Sequence, residues 1–456
     1  MEIIRTIQSR KTNNVFLEDV SNVKFRKDDK ILSNFIRINS KIKYQTIIGF
    51  GGAFTEASAH VLATLPKEKQ QEIIKSYFGK DGNAYNLGRV HINSCDFGLG
   101  NYTYVEDGDL DLHTFNINHD TKEIIPMIKM AYVDCKDMKL LASPWSPPAY
   151  MKTNNNMNYG GKLLKEYYGL WASYIIKYLD EMEKQGIHIS MLTVQNEPLA
   201  TQTWDSCIYL PEDERDFIKD YMGPALFNNH KDVDLYIWDH NRGDVLVDYA
   251  TRILDDKKVN KYVKGLAFHW YVSEDFASLS KFHEMYPDKT LLFTEGCVEF
   301  GYKGGYDEAK AFDNGIRYAH HMINDFNNFS TGFIDWNLIL DENGGPNHVF
   351  NNCEAPVMVT HDGKIIYNPS YYFIGHFSRF VKKGAKRVQT VTVSNNQVLE
   401  AVSFENPDGS LVINVLNRGW IEEASLIIDG HIVNLMLPNQ SITTLIIDLK
   451  GGCEKT

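Results

Sequence analysis

"KTLLFTEGC" runs from Lys289 to Cys297. Leu291, Leu292 and Phe293 form a short apolar run bounded by polar residues, the pattern of a strand buried on both faces in a parallel sheet. The run ends on Glu295, although glutamate is almost never buried unpaired. A second run, "ISMLTVQNEP" (Ile189 to Pro198), closes in the same way on Glu197. Six more runs share the strand character: "QTIIGFGGAF", "NLGRVHINSCDF", "MKLLASPWSPP", "VDLYIWDH", "VKGLAFHWY" and "STGFIDWNL". Helix-like segments separate them, such as Lys165 to Gly186, with apolar residues at three-four spacing and a glycine stop. Eight strand–helix alternations predict an α/β fold of the (β/α)8 TIM-barrel type. Every run ends in polar or aromatic residues, where such a barrel carries its active site.

Past about Gly375 the pattern changes to short alternating strands, with "NPDGS" (Asn406 to Ser410) as a hairpin turn. Residues before about Tyr44 are also strand-like ("NFIRINS"). The expected organisation is an N-terminal set of strands (1–44), a catalytic barrel (45–375) and a C-terminal β-sandwich (376–456). The two ends of the chain together build the attached sandwich.

With 456 residues, 43% of them hydrophobic, the chain can bury a large core. A net charge of −12 argues against nucleic acid and against electrostatic docking on anionic membranes. A neutral substrate with apolar ring faces suits 25 Tyr, 24 Phe and 7 Trp, most of which belong to the core. The six cysteines are scattered without a CxxC, so they form neither a disulfide framework nor a zinc site. The opening "MEIIRTIQSR" has no apolar signal-peptide stretch, and no run reaches membrane-spanning length. The expectation is a cytoplasmic chain, and export that needs no cleavable signal is compatible with it. Oligomeric state is not readable.

Glu197 ends the fourth run and Glu295 the seventh, roughly opposite one another across an eight-strand ring. Two carboxylates flanking one bound group are what glycosidic cleavage needs: one protonates the leaving oxygen, the other attacks the anomeric carbon or activates water. Asn196 beside Glu197 is placed to hold a sugar hydroxyl, and Gly296 after Glu295 is expected to let the substrate approach. "AFHWY" supplies His269 and Tyr271, the latter a phenol that can bond a carboxylate nucleophile. Arg89, on the second run, can keep Glu295 ionised, and that charge in turn is expected to raise the pKa of Glu197. Among the competing carboxylates, Asp96 reads as substrate-binding, while Glu56, Asp239 and Asp335 read as structural.

Rival chemistries find less support. A metal-dependent barrel hydrolase wants His-x-His near the first strand, where this chain has Gly51-Gly52-Ala53-Phe54, and there is no HExxH. "GFGGAF" fails the dinucleotide pattern at Phe54, and its glycines read as a backbone turn beneath the pocket. Cys297 reads as a small buried hydrophobe. His320 and His321, adjacent on a helix, face different ways. No metal and no cofactor are expected.

Taken together, the motifs resemble the clan A retaining glycoside hydrolases, and more narrowly glycoside hydrolase family 30, the glucosylceramidase family. The matching stretches are "GFGGAFTEA" (Gly49 to Ala57), "SCDFGLGNYTY" (Ser94 to Tyr104) and "LLASPWSPPAYMKTN" (Leu140 to Asn154). They continue with "QNEP", "HWY", "TEGC", "DWNL", "GGPNHVFN" (Gly344 to Asn351) and "IGHFSRF" (Ile374 to Phe380). The resemblance implies Glu197 as acid/base and Glu295 as nucleophile. It implies a glucose subsite of Asp96, Trp145, Asn196 and Trp336, with Phe97, Tyr271 and Asn351 close by and Arg89 beneath the nucleophile. A β-glucoside, a glucosylated lipid or a glucan is the implied substrate. The missing signal peptide, the cysteine pattern and the short loop after Glu197 make the chain most similar to bacterial members. The family also holds β-1,6-glucanases, β-xylosidases and β-fucosidases, and a non-catalytic carbohydrate-binding or host-interaction protein is the alternative of another class.

Overall fold

The computed structural model describes residues 1–20, 30–300, 305–421 and 423–449. Cys453 and the rest of 450–456 lie outside the described residues. Three strands come first: β1 (Glu2–Arg10), β2 (Val15–Asp19) and β3 (Phe35–Thr46). The barrel strands come next: β4 (Gly49–Ala53), β5 (Leu87–Ile92), β6 (Lys139–Pro144), β7 (Ile189–Thr193), β8 (Asp234–Asn241), β9 (Val263–His269) and β10 (Thr290–Glu295). A two-residue β11 (Val298–Glu299) precedes the eighth barrel strand, β12 (Ser330–Asn337). These eight close in the order β10-β12-β4-β5-β6-β7-β8-β9, every neighbour parallel. They are the eight apolar runs of the sequence.

Alternation along the strands fills the barrel. Leu87, Leu141, Met191, Tyr236, Ala267, Leu292 and Ile334, one from each of β5 to β10 and β12, form one buried layer across the interior, with Ile48 against it. The amphipathic stretch from Lys165 becomes a short 3-10 turn and then a helix, Tyr168–Lys184. Its inward stripe is Trp171, Tyr174, Ile175, Tyr178, Leu179 and Met182. Each such side chain, once buried, contributes about 1.5–3 kcal/mol.

Beyond the barrel, β13 (Ile339–Asp341), β14 (Cys353–Glu354), β15 (Val357–Val359) and β16 (Ile365–Tyr367) make small ribbons over its catalytic face, β11 pairing with β14. After a helix, Pro369–Ser378, come β17 (Lys386–Val393), β18 (Leu399–Glu405), β19 (Ser410–Asn417), β20 (Glu423–Ile428), β21 (His431–Met436) and β22 (Ser441–Asp448). They join the N-terminal strands in one nine-stranded sheet, β2-β1-β22-β19-β18-β17-β3-β20-β21. Residues from β3 and β17 through β22 share one apolar core, so the sheet folds over itself as a sandwich. The helix Pro369–Ser378 docks this sandwich onto the barrel. Its buried His376 bonds Ser9 (2.8 Å) on β1 and Thr444 (2.7 Å) on β22. Among the described residues no helix is long and apolar enough to cross a membrane.

Glycines in β4 serve packing rather than a turn. A Cβ on Gly51 would sit 2.0 Å from the carbonyl oxygen of Leu87, and one on Gly52 would meet Leu338. Only side-chain-free residues let β4 lie so close to its neighbours.

Candidate active site

Glu295 is the last residue of β10 and is buried. Its Oε2 accepts from Arg89 Nη1 at 2.6 Å and its Oε1 from the Tyr271 hydroxyl at 2.9 Å. Glu197 sits four residues past the end of β7, at φ +48, a left-handed conformation uncommon for a non-glycine residue. Its N–H donates to the carbonyl of Asp239, itself at φ +46. That pairing of two left-handed turns, with Pro198 next in the chain, swings the carboxylate over the barrel mouth. One carboxylate oxygen of Glu197, one of Glu295 and a ring nitrogen of His269 lie within 4.8 Å of each other.

Beneath the pair runs a buried polar network. Arg89, fully buried, donates to Glu295, to Asp239 Oδ2 (2.8 Å), to Asn196 Oδ1 (2.9 Å) and to Ser143 Oγ (3.2 Å). Asp239 also accepts from the hydroxyls of Thr193 and Thr294, both at 2.7 Å. Its Oδ1 lies 3.0 Å from His269 Nε2, while His269 Nδ1 is 3.2 Å from Glu197 Oε1. Burial alone would raise the Asp239 carboxyl, but Arg89 and His269 hold it below the usual carboxylate range. Burial likewise disfavours the imidazolium of His269, yet Glu295, Asp239 and Glu197 raise its pKa to about 9.

Glu197 departs from expectation. Burial pushes its carboxyl up, but hydrogen bonds and charge from His240 (3.6 Å from Oε1) and His269 outweigh this and hold it below its ordinary value. In the unliganded site the proton therefore rests on His269, one hydrogen bond from the carboxylate that would deliver it. Asp96 goes the other way: burial first, then the charge of Glu295, raises it to about 8, against a lowering bond from Asn351. Its Oδ2 accepts from Asn351 Nδ2 at 2.8 Å, and its Oδ1 has no hydrogen-bond partner among the described residues. A neutral carboxyl with a vacant oxygen at a cavity wall is suited to a substrate hydroxyl.

These groups surround a cavity of about 300 Å³ lined by Asp96, Trp145, Asn196, Glu197, Tyr271, Glu295, Trp336 and Asn351. Trp145 and Trp336 stack with ring centroids 5.3 Å apart, above the Arg89 guanidinium. Three of the candidate site residues stand behind the wall. Arg89 and His269 are buried beneath the carboxylates they position, and Phe97 packs edge-on against Trp336 at 6.1 Å. Gly296 is also not a substrate gap: a Cβ there would meet the Trp270 indole at 2.8 Å and Phe293 at 2.7 Å. Asp239, read from sequence as merely structural, is the centre of the network. Gln202, Trp204, His240 and Glu299 line the same cavity and carried no sequence signal. The first two lie in a stretch without periodicity, His240 on the irregular end of β8 and Glu299 on the two-residue β11. Gln202 Nε2 donates to Glu197 Oε2 at 3.4 Å.

The donor set is ill suited to a cation. Both ring nitrogens of His269 and both oxygens of Glu295 are engaged, and the Arg89 charge already sits against Glu295. His320 and His321 are no alternative. His320 bonds Glu400 of β18 at 2.7 Å, and His321 is bound to Arg242. Cys297 is buried, its thiol pushed up by burial, with Sγ 3.6 Å from the Tyr271 hydroxyl. A larger cavity, of about 600 Å³, lies at the opposite mouth beside Lys139, Ser190 and Asp234, far from this chemistry.

The chain matches two domain families, the glycosyl hydrolase family 30 TIM-barrel domain over residues 47–381 and the family 30 beta sandwich domain over residues 384–445. It is 37% identical over 393 residues to the lysosomal acid glucosylceramidase of Mus musculus, covering 82% of this chain and 76% of that one. The crystal structure of SrfJ from Salmonella typhimurium superposes with a TM-score of 0.93 at 39% identity, over 99% of this chain and 100% of that one. An endo-β1,6-glucanase structure superposes with a TM-score of 0.87 at 27% identity, covering 98% and 99%. A barrel that brings two carboxylates together over an arginine–aspartate–histidine network, in a chain so related, is that of a glycoside hydrolase, and this protein belongs to glycoside hydrolase family 30.

Proposed function

We propose that the enzyme is a retaining β-glucosidase of the glucosylceramidase type, with Glu295 as nucleophile and Glu197 as acid/base. The observation that carries this reading is the approach of the two carboxylates to within 4.8 Å. Retaining enzymes hold their carboxyl groups about 5–5.5 Å apart, and inverting ones about 6.5–9.5 Å to admit a water between them. The glucosylceramidase relative supports the glucoside preference.

In the first step a Glu295 oxygen bonds to the anomeric carbon as the bond to the leaving oxygen breaks. Glu197 gives that oxygen a proton drawn from His269 across 3.2 Å, which leaves the imidazole neutral until the second step restores the proton. Arg89 and Tyr271 hold the nucleophile's two oxygens in place, and their bonds loosen as its charge is lost to the glycosyl ester. Water then attacks the anomeric carbon, gives its proton to Glu197 and releases Glu295. Asp96, Asn196 and Asn351 hold the sugar hydroxyls.

The test is hydrolysis of a chromogenic β-glucoside, fluorescent glucosylceramide and a β-1,6-glucan by wild type and variants. Glu295→Gln is expected to lose at least about 10³-fold in turnover, consistent with removal of a covalent nucleophile. Glu197→Ala is expected to keep the first step on good leaving groups, with azide restoring the second. Equal, unrescued loss in both variants would overturn the role assignment. The 27% identity to an endo-β1,6-glucanase favours the glucan as the second reading, and cleavage of the glucan alone would establish it.

A further inference from the structure

The turn between β13 and β14 carries Asn351 to the cavity, where its amide donates to Asp96 at 2.8 Å. The turn is stiff within itself. Asn347 Oδ1 accepts the N–H groups of Val349 (3.1 Å) and Asn351 (3.0 Å), and Asn347 Nδ2 donates to Asn352 Oδ1 at 2.8 Å. It has little apolar anchorage, since Phe350 at its tip is 93% exposed. His348 ties it to the neighbouring segments. Its Nδ1 donates to the carbonyl oxygen of Gly98, after β5, at 2.9 Å, and its Nε2 lies 3.7 Å from Asp205 Oδ2, after β7.

Both of these facing atoms are buried and have no hydrogen-bond partner among the described residues. The Gly98 carbonyl can only accept, so His348 Nδ1 carries a proton. In a neutral ring Nε2 is then a lone pair turned toward a carboxylate, two acceptors facing one another. Asp205 Oδ1 is already used, accepting from the Ser94 hydroxyl at 2.5 Å and the Asn101 amide at 2.9 Å. A proton on Nε2 converts the conflict into a charge-assisted bond. We propose that His348 and Asp205 share this proton and that His348 is a positioning residue for the sugar. Protonated, it clamps the turn and sets Asn351 against Asp96. Neutral, it releases the turn, and the sugar binds less tightly. The proposal rests on the β-glucosidase reading above.

The surrounding charges bear on that proton. Asp96 and Cys95, after β5, and Lys152, after β6, all feel the Asp205 charge. Glu56, paired with His119, bonds the N–H of Leu99 beside Gly98. The acids favour a proton on His348. Lys152 opposes it, but its ammonium is turned to the carbonyls of Met157 (2.9 Å) and Ser206 (2.6 Å).

Two variants separate the possibilities. Asp205→Asn keeps an acceptor for Ser94 and Asn101 and offers an N–H to the bare Nε2, so the clamp forms without the proton. His348→Ala removes the clamp at every pH. The measurements are KM and kcat on a chromogenic β-glucoside and hydrogen exchange of the 343–353 segment, corrected for intrinsic rate. Both are made at about pH 5.5 and about pH 7.5, an interval in which histidine ordinarily changes charge. In wild type, KM and the exchange of the turn are each expected to rise at least about threefold at the higher pH, with kcat changing less. Asp205→Asn is expected to keep low KM and slow exchange at both, and His348→Ala to show raised KM and fast exchange at both. Wild-type exchange that is the same at both pH values would overturn the shared proton. A KM that rises equally in wild type and Asp205→Asn would overturn the clamp and assign the effect to Asp96. An unchanged KM in His348→Ala would overturn the positioning role. If exchange follows the expected pattern in all three proteins and no β-glucoside is cleaved, the clamp stands and the substrate reading falls.

Discussion

At Glu197 two demands meet. As the proposed acid/base, the residue must hold a proton when a glycosidic oxygen arrives, yet His240 and His269 keep its carboxyl ionised beforehand. The conflict resolves if Glu197 and His269 titrate as a pair sharing one proton, with His269 raised to about 9 holding it in the free enzyme. The alkaline limb of the kcat/KM profile then reports loss of that shared proton. Removing the imidazole leaves the proton on a lone carboxyl, which releases it at lower pH. His269→Gln is therefore expected to move the alkaline limb toward acid by at least about one pH unit, measured on a chromogenic glucoside across the acid-to-alkaline range. An unmoved limb would mean that His269 only positions Asp239.

At the scale of elements, β10 delivers Glu295, the proposed nucleophile, and the residue just after β10 decides how firmly it is held. Gly296 yields its side-chain space to Trp270 and Phe293, two rigid rings under the cavity floor. Gly296→Ala must displace an indole or the strand end carrying Glu295. It is expected to destabilise the protein by about 1–3 kcal/mol, seen in denaturant unfolding, with a loss in kcat. The barrel itself was legible in the sequence because strands buried on both faces leave uninterrupted apolar runs, as in Leu291–Phe293. The carboxylates Glu197 and Glu295 were legible because each breaks such a run. Other parts were not. β13 to β16 are two or three residues long, too short for any period. Asp239 acts through a left-handed backbone and contacts to four distant residues, none of which leaves a pattern in the chain. The downward shift of Glu197 depends on His240, whose approach is set by the break in register at the end of β8.

Several acids of the molecule are buried with raised pKa values. Burial raises Glu214, Asp325 and Glu354 to about 7 and Asp96 to about 8, and His269 stands at about 9. Each folded value lies above the ordinary one, so each group contributes stability that is present at low pH and lost as pH rises through its folded value. Buried His376, lowered to about 3, works in the opposite sense, but mainly below its ordinary 6.5. Between about pH 6.5 and 8 the raised carboxyls and His269 act in one direction, with smaller opposing contributions from the tails of His376 and His321 and from buried Lys152, lowered to about 8. The thermal unfolding midpoint is expected to fall by a few degrees from about pH 6.5 to about pH 8, as calorimetry would record. A midpoint that rises over that range would contradict the placement of these carboxyls. The sandwich adds a constraint of a different kind. β1 pairs along its length with β22, more than four hundred residues later, and β3 lies between β17 and β20. During synthesis the barrel's strands emerge with their neighbours close behind, but β1 waits for β22, more than four hundred residues later. Until then its edge is open, so this enzyme's nascent chain is a natural client for whatever shields strands during translation.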